Sequence, residues 1–192
     1  MEDQGMNQRD QAWALLNEYV KSERLLKHCL AVEAGMVTYA ELNGEDRDRW
    51  AAIGLLHDVD YEAYPEEHPL KSIPILQAAH YDQDFINAIQ GHAAEGVPRE
   101  SLEAKVLYAC DEMCGFIIAC ALVRDPKGFE DMQVKSVLKK FKDKAFARAI
   151  SREHAGEAVA EMGITLEAHV ENLIQGMGKR ELELNVLGSS LL

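Results

Sequence analysis

The chain has 192 residues, 47% of them hydrophobic and 28% charged, a composition typical of a globular protein with one domain. Its net charge of −13 argues against non-specific nucleic-acid binding, because that affinity comes from basic side chains that neutralise phosphates. Residues 1–10 are too polar and acidic for a signal peptide, and the longest apolar run, 113–123, is too short to span a bilayer. We therefore expect a soluble, cytoplasmic protein in which residues 1–192 form a single domain.

Helical periodicity of apolar residues dominates the chain, so we predict an all-α fold with about eight or nine helices. Ser22 is a suitable N-cap for the second helix, Asn43-Gly44 ends it, and Pro69 suits the first turn of the fourth. The predicted helices, in chain order, cover about residues 8–20, 22–42, 46–57, 68–79, 81–91, 98–123, 152–162 and 165–177.

The helix over 98–123 is apolar on nearly all sides, which predicts a central, buried element. Asp111 lies in its middle. A buried carboxylate costs on the order of several kcal/mol unless it is paired or bound to a metal. No arginine lies within a helical turn of Asp111, so its partner must come from elsewhere in the fold.

The four cysteines lie in apolar helical stretches, at positions 29, 110, 114 and 120. Cys110 and Cys114 are four residues apart, which is not the C-x-x-C spacing of zinc and redox sites. We predict buried, reduced thiols, which suit a reducing cytoplasm.

The doublet His57-Asp58 follows the apolar run 51–56. Adjacent helical residues point about 100° apart, so both side chains reach one ion most easily if the helix ends there and the backbone turns. Mixed imidazole and carboxylate ligands favour manganese, iron, cobalt, nickel or zinc over calcium and magnesium. Other histidines beside apolar helical patterns are His28, His68 and His92.

The order His28, His57-Asp58, Asp111 resembles the HD superfamily of metal-dependent phosphohydrolases, and specifically its small single-domain members of bacterial type. The resemblance implies an HD-domain helical bundle with a metal-site core over about 22–125. Residues 126–192 would form a C-terminal helical extension. The resemblance also implies that the four named residues hold one divalent transition metal.

Members of this superfamily with two metals carry two further histidines, one that opens a helix and one that follows an apolar helix. His68 and His92 match these positions. The resemblance then implies that His68, His92 and a bridging Asp58 hold a second ion.

The chain departs from the superfamily pattern at Tyr61. Many relatives have lysine or glutamate there, three residues after the aspartate of the doublet, in contact with phosphate or in catalysis. Beside Asp58, the other candidate catalytic residue is the neighbouring Glu62, as general acid or base; otherwise Glu62 is a solvated loop residue.

The basic stretch 135–152 stands out in an acidic chain. Lys135 and Lys139, four residues apart, are candidate substrate-binding residues at a phosphate-binding rim; the alternative is a solvated basic face. Three further histidines, His80, His154 and His169, have no comparable context, and we interpret them as surface or ordinary helix residues.

The resemblance implies hydrolysis of a small phosphate ester or anhydride, with nucleotides as the expected substrate class. Two alternatives stay open. A catalytically inactive domain could keep the metal or nucleotide site for a sensing or structural role, which the change at Tyr61 favours. A mixed-valence di-iron site could instead support oxygenase activity, with bound iron and oxygen consumption. The sequence does not set the oligomeric state.

Overall fold

Helices form all the regular secondary structure of the part of the chain that the structure describes. The structure is a computed structural model that describes residues 7–93, 96–148 and 150–192. Within these residues there are nine helices and no strand, so the all-α prediction is confirmed. The helices are α1 (Gln8–Tyr19), α2 (Glu23–Asn43), α3 (Arg47–Leu56), α4 (Ser72–Ala78), α5 (Gln83–Ala93), α6 (Leu102–Leu122), α7 (Val134–Lys142), α8 (Arg152–Glu161) and α9 (Leu166–Val186).

Local capping explains where α2 begins and ends. The hydroxyl of Ser22 accepts a hydrogen bond from the backbone N–H of Leu25, as predicted for an N-cap. Gly44 ends the helix with a φ of 70°, a left-handed conformation that glycine adopts without steric cost, and its N–H donates to Ala40 O. The predicted bounds of this helix are correct to within one residue.

The segment between α3 and α4 differs from the prediction. Residues 57–71 form consecutive turns, and α4 begins at Ser72 instead of at His68-Pro69. The reason is the buried carboxylate of Asp60, which accepts a hydrogen bond from the backbone N–H of Ser72 and contacts the ring of His68. The segment therefore closes into a loop before the next helix starts.

The C-terminal third also differs from the prediction. Helix α7 was not expected, because four lysines among its nine residues obscure the two apolar side chains that it buries, Val137 and Phe141. Helix α9 continues to Val186, beyond the predicted range 165–177, because Leu184 still packs into the core.

Three helices of 21 residues, α2, α6 and α9, occupy the centre of the fold. Helix α2 packs against α3, α6 and α9, while α1 covers α3, and α5 and α8 cover α6. One cluster of buried apolar side chains extends from Ala12 in α1 to Leu191 beyond α9. The N-terminal half of α2, the end of α3 and the middle of α6 therefore face one another.

Gly54 sets the close approach of α3 to α2. A Cβ atom at this position would lie 2.7 Å from Glu33 Cα. Any residue with a side chain would therefore clash with the backbone of α2. The side chain of Glu33 is itself buried, and it pairs with Arg9 Nε at 2.6 Å and Arg180 Nη2 at 3.1 Å. One position of α2 thus contacts α3 through its backbone and holds α1 and α9 through its carboxylate.

The four cysteines are buried free thiols, as predicted. Burial raises the pKa of Cys29 and of Cys114, so both stay protonated and unreactive near neutral pH. Among the described helices, none combines the length and the apolar character needed to cross a membrane.

His169 is buried, so its interpretation as a surface or ordinary helix residue is wrong. Its Nε2–H donates to Ala109 O at 2.9 Å, and its Nδ1 accepts from the hydroxyl of Tyr39 at 2.7 Å. These contacts join α9 to α6 and α2. Burial lowers the pKa of His169 to about 4, although the Ala109 carbonyl favours the charged form.

We expect His169 to make the protein less stable in mild acid. Its folded-state pKa of about 4 lies below the ordinary value of 6.5, so as the pH falls the unfolded chain binds the proton first. The contribution of His169 is complete above about pH 6.5 and is lost between about pH 6.5 and 4, on the order of 3 kcal/mol of unfolding free energy. Urea unfolding of the wild type and of His169→Gln between pH 7.5 and 4.5 measures this loss.

Because the two proteins share all other titratable groups, the difference between their stability curves isolates His169. The expected result is a wild-type advantage that narrows as the pH falls. His80→Asn, which removes an exposed histidine, should leave the wild-type slope unchanged. Parallel curves for the wild type and His169→Gln would contradict the prediction.

Candidate metal centre

Six side chains from α2, α5, α6 and the turn segment 57–71 meet where α3 ends. Helix α3 stops at Leu56, so the backbone turns at the doublet, as predicted. His92 lies inside the last turn of α5. The six residues are His28 in the second turn of α2, His57 and Asp58 after α3, His68 in the turn segment 57–71, His92 in α5 and Asp111 in the middle of α6.

The first set of atoms comes from α2, α3 and α6. His28 Nε2 lies 3.1 Å from His57 Nε2 and 3.0 Å from Asp111 Oδ1. Asp58 Oδ2 lies 3.8 Å from His28 Nε2 and 3.5 Å from His57 Nε2. The partners of Asp111 are therefore these two histidines, and an arginine is not needed to balance its charge.

These separations suit a shared ion. Metal–nitrogen and metal–oxygen bonds of about 2.0–2.2 Å place neighbouring ligand atoms about 3.0–3.5 Å apart. His28, His57 and Asp58 could hold one divalent ion. Asp111 Oδ1 lies 3.0 Å from His28 Nε2 and 3.5 Å from His57 Nε2, so Asp111 could contribute a fourth ligand to the same ion.

The second set of ligand atoms includes the other carboxylate oxygen of Asp58. Asp58 Oδ1 lies 3.4 Å from His68 Nε2 and 3.6 Å from His92 Nε2. Asp58, His68 and His92 could therefore hold a second ion. Because Oδ2 faces the first set and Oδ1 faces the second, Asp58 is placed to bridge two ions.

Backbone carbonyls orient two of the imidazole rings. His57 Nδ1 lies 2.8 Å from Gly54 O, and His92 Nδ1 contacts Ile89 O, in each case three residues earlier in the chain. A proton on Nδ1 that is donated to the carbonyl leaves the lone pair on Nε2, the atom that faces Asp58. Both rings therefore present the nitrogen that a metal ion requires.

Asp60 is a candidate functional residue that the sequence analysis missed. Its side chain is buried, with Oδ1 2.8 Å from His68 Nδ1 and Oδ2 accepting from the N–H of Ser72 at 2.9 Å. It fixes the orientation of His68 as carboxylates do for many metal-binding histidines. The available signal was a second aspartate two residues after Asp58, in the segment that leads to His68.

The charges of the centre compensate one another. Burial opposes ionisation of Asp58, but His57 and His92 outweigh it and lower its pKa to about 2. The pKa of Asp111 is lowered in the same way, against burial, by His28 and His57. Burial acts against protonation of His57 and His92, yet the two carboxylates raise the pKa of both rings. A bound cation would replace these protons, so metal affinity should weaken in acid.

Tyr61 and Glu62 lie at the surface beside this centre. Tyr61 is 49% exposed as a residue, and its ring stands edge-on to that of His68, with 5.2 Å between ring centroids. Glu62 Oε2 accepts hydrogen bonds from the backbone N–H groups of Lys21 and Ser22, at 3.0 and 2.9 Å. Glu62 thus holds the junction between α1 and α2, and its catalytic role stays a prediction.

Among the described residues, no contact links Lys135 or Lys139 to either set of ligands. Both are exposed on α7, which packs through Phe141 against Phe116 of α6. Within the basic stretch, Arg152 is half-buried, and its guanidinium donates to backbone carbonyls of the loop before α8. The substrate-binding role of the two lysines stays a prediction.

We expect His68→Ala and Asp58→Asn to differ in how much metal the protein binds. His68→Ala removes a ligand of the second set only, whereas Asp58→Asn weakens both sets, because each uses one of its oxygens. Each affected set should lose more than about 100-fold in manganese affinity. Loss of a ligand should have a larger effect than loss of a residue that only hydrogen-bonds to a ligand, which costs roughly 10–100-fold. Titration calorimetry, with metal content measured on the purified proteins, gives the stoichiometry. Equal stoichiometry in the two variants would contradict the bridging arrangement.

We expect Asp60→Asn to weaken the second set alone, by roughly 10–100-fold in affinity, because His68 loses the carboxylate that orients it. Unchanged affinity of the first set would show that the fold is intact. The control is Asp84→Asn, which alters an exposed carboxylate of α5 and should bind manganese as the wild type does. Wild-type affinity at both sets in Asp60→Asn would refute the orienting role.

Comparison with known families agrees with this arrangement. Residues 25–114 match the family model described as HD domain. All six residues of the two sets lie within the matched segment. No solved structure matches the chain. HD domains bind divalent metals and are typically hydrolases, and residues 25–114 of this chain match that family.

Proposed function

We propose that this protein is a metal-dependent phosphohydrolase that acts on a small phosphate ester or anhydride. One observation carries the proposal: the carboxylate of Asp58 faces two sets of imidazole and carboxylate ligands, one with each oxygen. A pair of closely spaced ions is the arrangement by which many phosphatases and nucleases stabilise in-line displacement at phosphorus. The match of residues 25–114 to the HD-domain family supports the same reaction class.

The protein's own contribution is to hold the ligand atoms of the centre in place. When bound, divalent ions lower the pKa of a bound water to about 7 and offset charge on the phosphoryl oxygens. Asp58 fixes the spacing of the two sets. The carbonyls of Gly54 and Ile89 hold His57 and His92 in the required tautomer. Preorganised groups of this kind need no rearrangement during the reaction.

Nucleotides are the substrate class that we propose, by analogy with the superfamily. The exposed ring of Tyr61 supports this choice, because it lies beside His68 and offers an aromatic surface on which a base can stack. Glu62, as general acid or base, belongs to the same proposal.

The second candidate is a catalytically inactive domain that binds a metal or a nucleotide for sensing or structure. Two observations favour it. Tyr61 occupies the position where many relatives have lysine or glutamate, and the carboxylate of Glu62 is engaged by Lys21 and Ser22.

A phosphatase assay on metal-depleted protein tests the proposal. We expect manganese-dependent release of phosphate from at least one member of a panel of nucleotides and sugar phosphates. His57→Ala and Asp58→Ala should reduce that rate by roughly 1,000-fold or more, since metal catalysis contributes several kcal/mol and each 1.36 kcal/mol is tenfold. His80→Ala, at an exposed position, is the matched control and should keep full activity.

The other outcomes each select a different conclusion. Bound metal without turnover on any substrate would favour the inactive domain. Bound iron together with oxygen consumption would favour the oxygenase alternative. Wild-type manganese binding in both His57→Ala and Asp58→Ala would contradict the assignment of these residues as metal ligands.

A further inference from the structure

A small cavity adjoins the metal centre on the side of α6 and α8. Its volume is about 50 Å³, and its lining includes His92 and Asp111 together with three side chains outside the ligand sets, Tyr108, Glu112 and His154. Sites that enclose a whole small ligand measure roughly 300–1,000 Å³. The cavity could therefore take only a small part of a substrate, the size of a phosphoryl group, and the remainder would extend outward.

The cavity has a floor and a mouth that differ in chemistry. At the floor, the side chains of His92 and Asp111 are 2% and 27% exposed. At the mouth, the side chain of His154 is 56% exposed. A phosphoryl group held near the floor would direct its leaving oxygen, which carries the rest of the substrate, toward the mouth and His154.

Glu112 connects His154 to the helix that carries Asp111. Its Oε2 accepts a hydrogen bond from the N–H of Ser151, the N-cap residue of α8, at 2.9 Å. Its Oε1 lies 3.7 Å from His154 Nδ1. The start of α8 is thus attached to α6 one residue after Asp111, and the carboxylate faces one nitrogen of the His154 ring.

This attachment determines which ring nitrogen is available. With Nδ1 facing Glu112, Nε2 is left for a ligand. A carboxylate next to Nδ1 orients an imidazole, an arrangement also found at general-acid histidines. The interpretation of His154 as an ordinary surface residue leaves its place beside two metal-ligand candidates unexplained.

We propose that His154 contacts the leaving oxygen of the substrate and donates a proton to it, with Glu112 as its positioning residue. The inference rests on the proposed phosphohydrolase function. Water attacks phosphorus and a new P–O bond forms, while the bond to the leaving oxygen breaks. The electron pair of that bond stays on the leaving oxygen, which takes the proton from His154 Nε2. The attacking water releases its proton to solvent, and His154 is reprotonated from solvent.

The dependence of rate on leaving group tests the proton donation. p-Nitrophenyl phosphate has a leaving group that needs no proton, whereas the alcohol of glycerol phosphate does. We expect His154→Ala to lower kcat on the alkyl ester by about 100-fold or more, the range of general acid catalysis, and to have little effect on the aryl ester. A merely structural role would slow both esters equally. Glu112→Gln should also lower kcat on the alkyl ester more than on the aryl ester, but by a smaller factor.

Binding of inorganic phosphate to the manganese-loaded protein provides a readout without turnover. His154→Ala should weaken phosphate by about tenfold, as expected for one lost hydrogen bond to a charged group. His154→Gln, which keeps an N–H donor near the position of Nε2, should retain phosphate affinity but not the rate on the alkyl ester. His80→Ala should resemble the wild type in both measurements.

These experiments separate the inference from the function on which it rests. Equal losses on both esters with unchanged phosphate affinity in His154→Ala would overturn the role of His154 and leave the phosphohydrolase function intact. Absence of turnover in the wild type would overturn that function and the proton donation with it. The phosphate titration would then decide whether His154 contacts phosphate at all.

Discussion

The carboxylate of Asp58 lies between two groups of histidines, with Oδ2 toward His28 and His57 and Oδ1 toward His68 and His92. A buried carboxylate in this position needs compensating charge, and the same histidines need a negative partner. The geometry of the centre follows from this mutual requirement. The ligands from α2, α5, α6 and the turn segment 57–71 thus surround one side chain.

The scaffold brings the ligands together through a few close contacts. Gly54 lets α3 approach the backbone of Glu33 in α2, so that the end of α3 lies beside His28. The carboxylate of Glu33 then ties α1 and α9 to the same part of α2 through Arg9 and Arg180. Packing, ligand placement and the attachment of α1 and α9 therefore share one region of α2.

Patterns within short segments predicted much of this structure. Apolar periodicity gave the helical class, and capping residues such as Ser22 and Gly44 act locally, so the bounds of α2 follow from neighbouring residues. Prediction failed where long-range contacts decide. The start of α4 depends on Asp60, twelve residues before Ser72, and the burial of His169 depends on Tyr39 and on a carbonyl of α6.

The sequence by itself determined the helical class, the candidate ligands and the expectation that Asp111 needs a partner, because spacing and the cost of burying charge are properties of the chain. Only the tertiary structure decided that the two oxygens of Asp58 face different sets. It also decided that Asp60 orients His68, and that His154 stands at the mouth of a cavity beside Asp111. These relations join residues from separate helices and loops, and their distances depend on how those elements pack.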